Sequence, residues 1–291
     1  MVSDFEAQVR ATNDKINART GRPLAIAITV GLLLGLFLLL SLLLVKELFM
    51  LFAGLLIMFT AYELATALRS SGRDVPRIPT VFAAVAIIPM TFYFLAAGQW
   101  LATLAGIALI SVWRIAETLR PSARVPFREL VKDLGAGVFT MAYVGFLASF
   151  TVLLTAQDGG QWWTLAFLIV VVSIDTGAYA SGLAFGKHKM APIISPKKTW
   201  EGFVGSVAAA IIAGVLLAIF MIGQPWWVGV ILGLTMVVTA TGGDLAESLV
   251  KRDLGIKDIS SFLPGHGGFL DRLDSALPSA AAAYALFLIF T

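Results

Sequence analysis

Residues 248–274 read SLVKRDLGIKDISSFLPGHGGFLDRLD, and the segments on either side of this stretch are apolar enough to cross a bilayer. The stretch holds Lys251, Arg252, Lys257 and Arg272, the aspartates Asp253, Asp258, Asp271 and Asp274, His266 and a Gly267-Gly268 pair. A loop that only joins two membrane helices has no need of such density. Charged groups held at a membrane face are costly and mark a functional site by default. Hard carboxylate oxygens beside cations suit phosphates and a divalent metal.

The rest of the chain fits a membrane setting. Of 291 residues, 58% are hydrophobic and 13% charged, where a soluble domain carries roughly 25% charged residues. Apolar windows of bilayer-spanning length fall near residues 24–44, 47–67, 79–97, 98–113, 134–156, 162–181, 201–223, 226–246 and 275–291. They predict an all-α, polytopic integral membrane protein with about nine transmembrane helices. The third and fourth windows are parted only by Ala97, Gly98, Gln99 and Trp100. The first window follows a polar tail and has no small-residue cleavage site, which excludes a cleavable signal peptide. With no cysteine there is no disulfide framework, thiolate metal site or thiol nucleophile.

Loop charge predicts orientation. Arg10, Lys15, Arg19 and Arg22 lie in the tail; Arg69, Arg73 and Arg77 between the second and third windows; Arg114, Arg120, Arg124, Arg128 and Lys132 between the fourth and fifth. Lys187, Lys189, Lys197 and Lys198 follow the sixth, and Lys251, Arg252, Lys257 and Arg272 follow the eighth. If the helices alternate, all of these share one side and only Lys46 falls on the other. The expectation is a cytoplasmic N-terminus and an external C-terminus.

The chain divides into a cytoplasmic tail (1–22), a transmembrane scaffold half (23–160) and a transmembrane catalytic half (161–291). In the scaffold half, Glu63 and Glu117 sit near cytoplasmic helix ends and are read as snorkelling or loop-contacting. Gly31 and Gly35 match a small-xxx-small helix contact, a pattern that glycine-rich membrane helices often produce by chance. No internal repeat or low-complexity segment is visible in the sequence.

Three clusters mark the catalytic half. In the first, Asp175 lies inside an apolar helix, where a lone carboxylate costs roughly 2.5–3.5 kcal/mol, so it should face a partner or a polar cavity. Gly182, Gly186 and the Ser195-Pro196 pair allow tight backbone turns. Lys197 and Lys198 then precede Thr199, placed to cap a helix with Glu201 in its first turn, which makes a natural phosphate site. The run from Gly182 to Lys187 is not a P-loop: its glycines are too close and His188 follows the lysine.

In the second cluster Asp244, Glu247, Ser248 and Lys251 follow at i, i+3, i+4 and i+7 and share one helical face. A self-neutralising salt-bridge stripe is the plain reading, but Asp244 continues directly from an apolar run and should lie below the headgroups. In the third, the glycines around His266 free backbone amides to face an anion. Asp271, Asp274 and Ser275 share a face at the start of the last helix, and Asp271 with Asp244 offers hard-oxygen ligands from neighbouring helices.

Ser248, Lys251, Arg252, Lys257, Asp258, Ser260, Leu263, Pro264, His266, Gly267, Gly268, Asp271, Arg272, Leu273 and Asp274 together resemble the signature of the phosphatidate cytidylyltransferase family, with its spacing intact. Upstream, Asp175, the run Ser195 to Thr199, Glu201 and Gly202 resemble the family's other recurring segment. The match covers residues 175 to 275, and the first 160 resemble the family mainly in hydropathy.

The resemblance implies Mg²⁺-dependent transfer of the cytidylyl group from CTP to phosphatidic acid, by a polytopic homodimer. On that reading Asp244, Glu247, Asp271 and Asp274 hold Mg²⁺. Lys251, Arg252, Lys257 and Arg272 contact phosphates, with Lys197, Lys198, Ser195, Thr199, Ser248 and Asp175 also at the substrates. His266, Gly267 and Gly268 shape the nucleotide loop. Spare oxygens leave room for a second, monovalent cation such as K⁺. No nucleic-acid partner is expected, and a bacterial inner membrane is the expected location. Two rivals are a lipid kinase or other lipid-phosphate transferase, and a cation-coupled transporter using Asp175 and Asp244. The transporter would need acidic groups on both sides of the midplane and an inverted repeat.

Overall fold

The computed structural model describes residues 24–121, 124–260, 262 and 267–291. The order is α1 (Leu24–Leu44), α2 (Lys46–Ser70), α3 (Arg77–Glu117), α4 (Phe127–Ala156), α5 (Gly160–Phe185), β1 (Lys189–Ala191), β2 (Ser195–Thr199), α6 (Trp200–Ile222), α7 (Trp226–Asp253) and α8 (Leu270–Phe290). Among the described residues seven helices, α2 to α8, are long and apolar enough to cross a membrane, and α1 carries no charged residue. The chain is an integral membrane protein and nearly all-α. The exception to the all-α expectation is the small β1–β2 hairpin, paired antiparallel with Lys189 opposite Thr199 and Ala191 opposite Ser195.

The 41-residue α3 cannot be one straight span. At 1.5 Å per residue it would be about 60 Å long, twice the hydrocarbon thickness. It breaks at Leu95, which has φ 52 and ψ −140 and is the one non-glycine with positive φ among the described residues. A Cβ built on Gly106 would lie 3.0 Å from the Ala83 Cβ. Residues about equally far from the break therefore touch, so α3 is a hairpin of two antiparallel arms. The sequence put the separation at Ala97 to Trp100; the bend comes slightly earlier, and buried Gln99 is instead helical and donates to Ser149 Oγ at 2.8 Å.

Lipid tails are as apolar as leucine, so small residues and close backbone approach hold membrane helices together. A Cβ on Gly205 of α6 would sit 1.9 Å from Ser181 Oγ and 2.8 Å from Gly177 O of α5. These helices meet nearly backbone to backbone. By contrast a Cβ on Gly35 would meet nothing within 4 Å, so Gly35 makes no close helix contact among the described residues. One core gathers Leu64, Ile87, Ile110, Met141 and Val152 from α2, α3 and α4. A second gathers Phe167, Leu232, Met236 and Ala283 from α5, α7 and α8.

Loop contacts sort the bundle ends. At one end Arg73 pairs with Glu129 (3.1 Å), Arg114 with Asp74 (3.4 Å), Ser260 with Glu63, and Arg252 with the Ile194 carbonyl. At the other, Lys46 donates to Gln157 O at 2.7 Å and Gln224 to Phe290 O at 3.2 Å. The basic connectors share the first end, while Lys46 lies at the second.

Candidate active site

A cavity of about 500 Å³ opens at the basic end between α5, β2, α6 and α7. Asp175, Ser195, Lys197, Lys198, Thr199 and Asp244 line it, together with apolar Ile174, Leu183 and Phe203. Lys198 Nζ lies 2.6 Å from Asp244 Oδ2, and Ser248 Oγ donates to Asp244 Oδ1 at 3.3 Å. Thr199 caps α6 as expected, accepting from Gly202 N at 3.1 Å. Glu201, in the first turn, accepts from Lys187 N at 3.1 Å and contacts His188 Nδ1 at 2.6 Å, fastening the preceding loop.

One turn further along α7, Lys251 Nζ stands between Glu247 Oε2 (2.5 Å) and Asp271 Oδ1 (2.9 Å). Glu247 is wholly buried, and its Oε1 finds no hydrogen-bond partner among the described residues. A Cβ on Gly243 would lie 2.3 Å from Asp274 O, so the backbones of α7 and α8 touch there. This brings Asp244 level with Asp274 and Glu247 level with Asp271. Gly268 N donates to Asp271 Oδ2 at 2.8 Å. The preceding Gly267, at φ +84, adopts a conformation that a side chain would strain.

The structure thus collects Asp175, Ser195, Lys197, Lys198, Thr199, Asp244 and Ser248 in one place, and Glu247, Lys251 and Asp271 beside it. Arg272 is near enough to Asp175 to interact electrostatically, as is Asp274 with Asp244. Arg252 reaches the β1–β2 turn at Ile194 O (3.4 Å). Lys257 is exposed and has no hydrogen bond or ion pair among the described residues. His266 lies outside the described residues.

Four local expectations change. The tight turn expected at Ser195-Pro196 falls at residues 192–194, and Ser195–Thr199 is a strand. Gly182 is inside α5, where it packs beside Thr199 and Gly202. The last helix begins at Leu270, ahead of the expected 275, with a turn at residues 274–275. The amides of Gly268 and Leu270 face carboxylates of the chain itself.

Of the two readings of Glu63, the loop-contacting one holds. Glu63 does not snorkel: at 3% exposure it accepts from Ser260 Oγ at 2.5 Å and Leu270 N at 3.1 Å. The signal was a carboxylate with no other charged residue between Glu47 and Arg69.

The donor set fits Mg²⁺ in kind. Asp175, Asp244, Glu247, Asp271 and Asp274 gather near Lys198, Lys251 and Arg272, so negative charge is in excess at a partly buried place. The orphaned Glu247 oxygen points the same way, and Mg²⁺ takes a few carboxylates plus waters and phosphates. As they stand, no three acidic or histidine side chains among the described residues converge tightly enough to hold an ion. Lys198 and Lys251 occupy the carboxylates instead.

Comparison with known proteins places the chain in a family. The model of the cytidylyltransferase family matches residues 25–290. A phosphatidate cytidylyltransferase of Mycobacterium bovis is 40% identical over 274 residues, covering 92% of this chain and 89% of that protein. One from Mycobacterium leprae is 37% identical over 283 residues, covering 94% and 91%. One from Brucella suis is 43% identical over 156 residues, covering 53% and 57%. The likeness extends well beyond the signature into the first 160 residues, and the chain belongs to the cytidylyltransferase family.

Proposed function

We infer that the chain transfers the cytidylyl group of CTP to phosphatidic acid, giving CDP-diacylglycerol and pyrophosphate, a step of phospholipid biosynthesis. The carrying observation is the cavity that sets Lys197, Lys198, Asp175 and Asp244 beside Ile174, Leu183 and Phe203. Leu183 and Tyr179 on its wall are exposed apolar side chains. Such a place admits a polyanionic nucleotide and a lipid phosphate together.

The attacking phosphatidate oxygen is already anionic, so no strong general base is needed. It forms a bond to the α-phosphorus of CTP as the bond to the bridging α–β oxygen breaks. Pyrophosphate leaves with that electron pair. Positioning and charge neutralisation carry most of the rate in such transfers. Lys197, Lys198, Arg252 and Arg272 supply cations around the cavity, with Lys257, His266 and the Gly267-Gly268 pair on the nucleotide loop. Asp244, Glu247, Asp271 and Asp274 would hold Mg²⁺, which when bound polarises phosphoryl oxygens and clamps the triphosphate. Lys198 and Lys251 keep the carboxylates in place and are free to pass to phosphate oxygens when these arrive. Spare oxygens on Glu247, Ser248, Asp258 and Asp274 suit a second, monovalent cation such as K⁺.

The basic end faces the cytoplasm of a bacterial inner membrane, with nine crossings, the C-terminus outside and two copies paired as a homodimer. The charge bias of the loops supports this orientation, and the bacterial origin of the relatives supports the location. The test is incubation of the detergent-purified protein with phosphatidic acid, Mg²⁺ and either α-labelled CTP or γ-labelled ATP. Label entering lipid from CTP, with pyrophosphate released, is the expected result. Label entering lipid from ATP would overturn it in favour of a lipid kinase.

A further inference from the structure

We propose that Glu63 is a positioning residue for the transfer, holding the signature loop from α2 so that Asp271 stays in place beside Lys251. This rests on the assignment of that loop to the active site. Glu63 comes from the half of the chain read as scaffold, 197 residues before Ser260 and 207 before Leu270, yet both its oxygens are committed to them. Leu270 opens α8, and its N–H is among those a helix leaves without an internal partner. The Glu63 carboxylate satisfies it from another helix, which fixes the first turn of α8, where Asp271 stands. A Cβ on Gly268 would lie 2.9 Å from Glu63 Oε2, so the loop backbone is seated against this carboxylate.

A second contact from α2 reinforces the first. Phe59, one turn before Glu63, stacks on Phe269 with centroids 4.9 Å apart and planes 10° from parallel. Ser260 Oγ also accepts from Phe262 N at 3.1 Å, passing the restraint into the loop. The carboxylate is 3% exposed, and among the described residues its hydrogen-bond donors are neutral. Burying such a group is costly. A carboxylate offers an acceptor oxygen to each donor; a glutamine offers one carbonyl oxygen and an amide that can only donate.

The experiment measures kcat and KM for CTP in purified wild type, Glu63→Ala, Glu63→Gln, Ser260→Ala and the Glu63→Ala/Ser260→Ala double variant, with thermal midpoints alongside. Misplacing reacting groups slightly costs large factors in rate. Glu63→Ala should lower kcat about tenfold or more with KM for CTP within about threefold, and Glu63→Gln should recover part of the loss. Ser260→Ala should lower kcat with an unchanged midpoint. The double variant should be no worse than Glu63→Ala by more than about twofold, because the two residues act as one unit. Glu63→Ala with wild-type kcat, losses that follow the thermal midpoint alone, or losses that multiply in the double variant would each overturn the proposal. An inactive wild type would instead strike the proposed function, and an active Asp271→Asn would strike the site assignment.

Discussion

Lys198 Nζ stands 2.6 Å from Asp244 Oδ2, joining the strand that leads into α6 to the end of α7 across the cavity. A carboxylate held by a lysine where phosphates are to bind is poised for exchange of partners. Asp271 has the same relationship to Lys251 at 2.9 Å. Asp244→Asn and Asp271→Asn should each lower kcat by at least about 10²-fold, the scale on which a preorganised electrostatic group acts. The check is label transfer from CTP by purified protein that elutes as a single folded species. Full activity in either variant would remove that aspartate from the site.

Glu117 provides the contrast. It lies at the end of α3, accepts from Trp113 Nε1 at 2.9 Å and approaches Arg114 at 3.7 Å, with no contact to the cavity. Glu117→Gln should keep activity within about twofold, since Asp133 and Asp74 still hold Arg114 and Glu117 does not line the cavity. A dead but well-folded variant would show that the chemistry draws on this end of α3.

Arg114 and Asp133 carry the clearest structural prediction. Arg114 is 1% exposed and Asp133 4%; two hydrogen bonds of 3.1 and 2.7 Å join them, and Asp74 N donates to Asp133 at 3.0 Å. Removing one partner of a buried pair leaves an uncompensated charge and costs about 3–5 kcal/mol. Asp133→Ala should therefore unfold at clearly lower temperature in detergent. An unchanged midpoint would show that Asp74 and Glu117 suffice to hold the guanidinium.

The helices were legible because bilayer length and apolar composition dictate them together, and α2, α5, α6 and α7 begin within about two residues of their windows. The Asp244–Lys251 stripe was legible because helical spacing puts these residues on one face whatever surrounds them. What spacing does not carry is the partner across the bundle. Nothing local joins Lys198 to Asp244, or Glu63 to Leu270; those pairs follow from how α2, α6, α7 and α8 pack. Ser195–Thr199 was misjudged because Pro196 reads as a turn, whereas proline is tolerated in an edge strand. The break in α3 was legible as two windows, and only its exact place was hidden, since no glycine or proline marks a leucine with positive φ.

Orientation in the membrane is open to a direct test, because the chain has no cysteine and any introduced thiol is a unique reporter. Asp158 is exposed in the connector between α4 and α5, at the end of the bundle where Lys46 bonds Gln157 O. Ser71 is exposed at the opposite end, just after α2. The excess of Lys and Arg at the Ser71 end predicts that it is cytoplasmic. In intact bacteria expressing the chain, a membrane-impermeant maleimide should label Asp158→Cys at once, and Ser71→Cys only after the membrane is permeabilised. The reverse pattern would put the cavity on the outer face, away from cytoplasmic CTP, and the proposed orientation would fall.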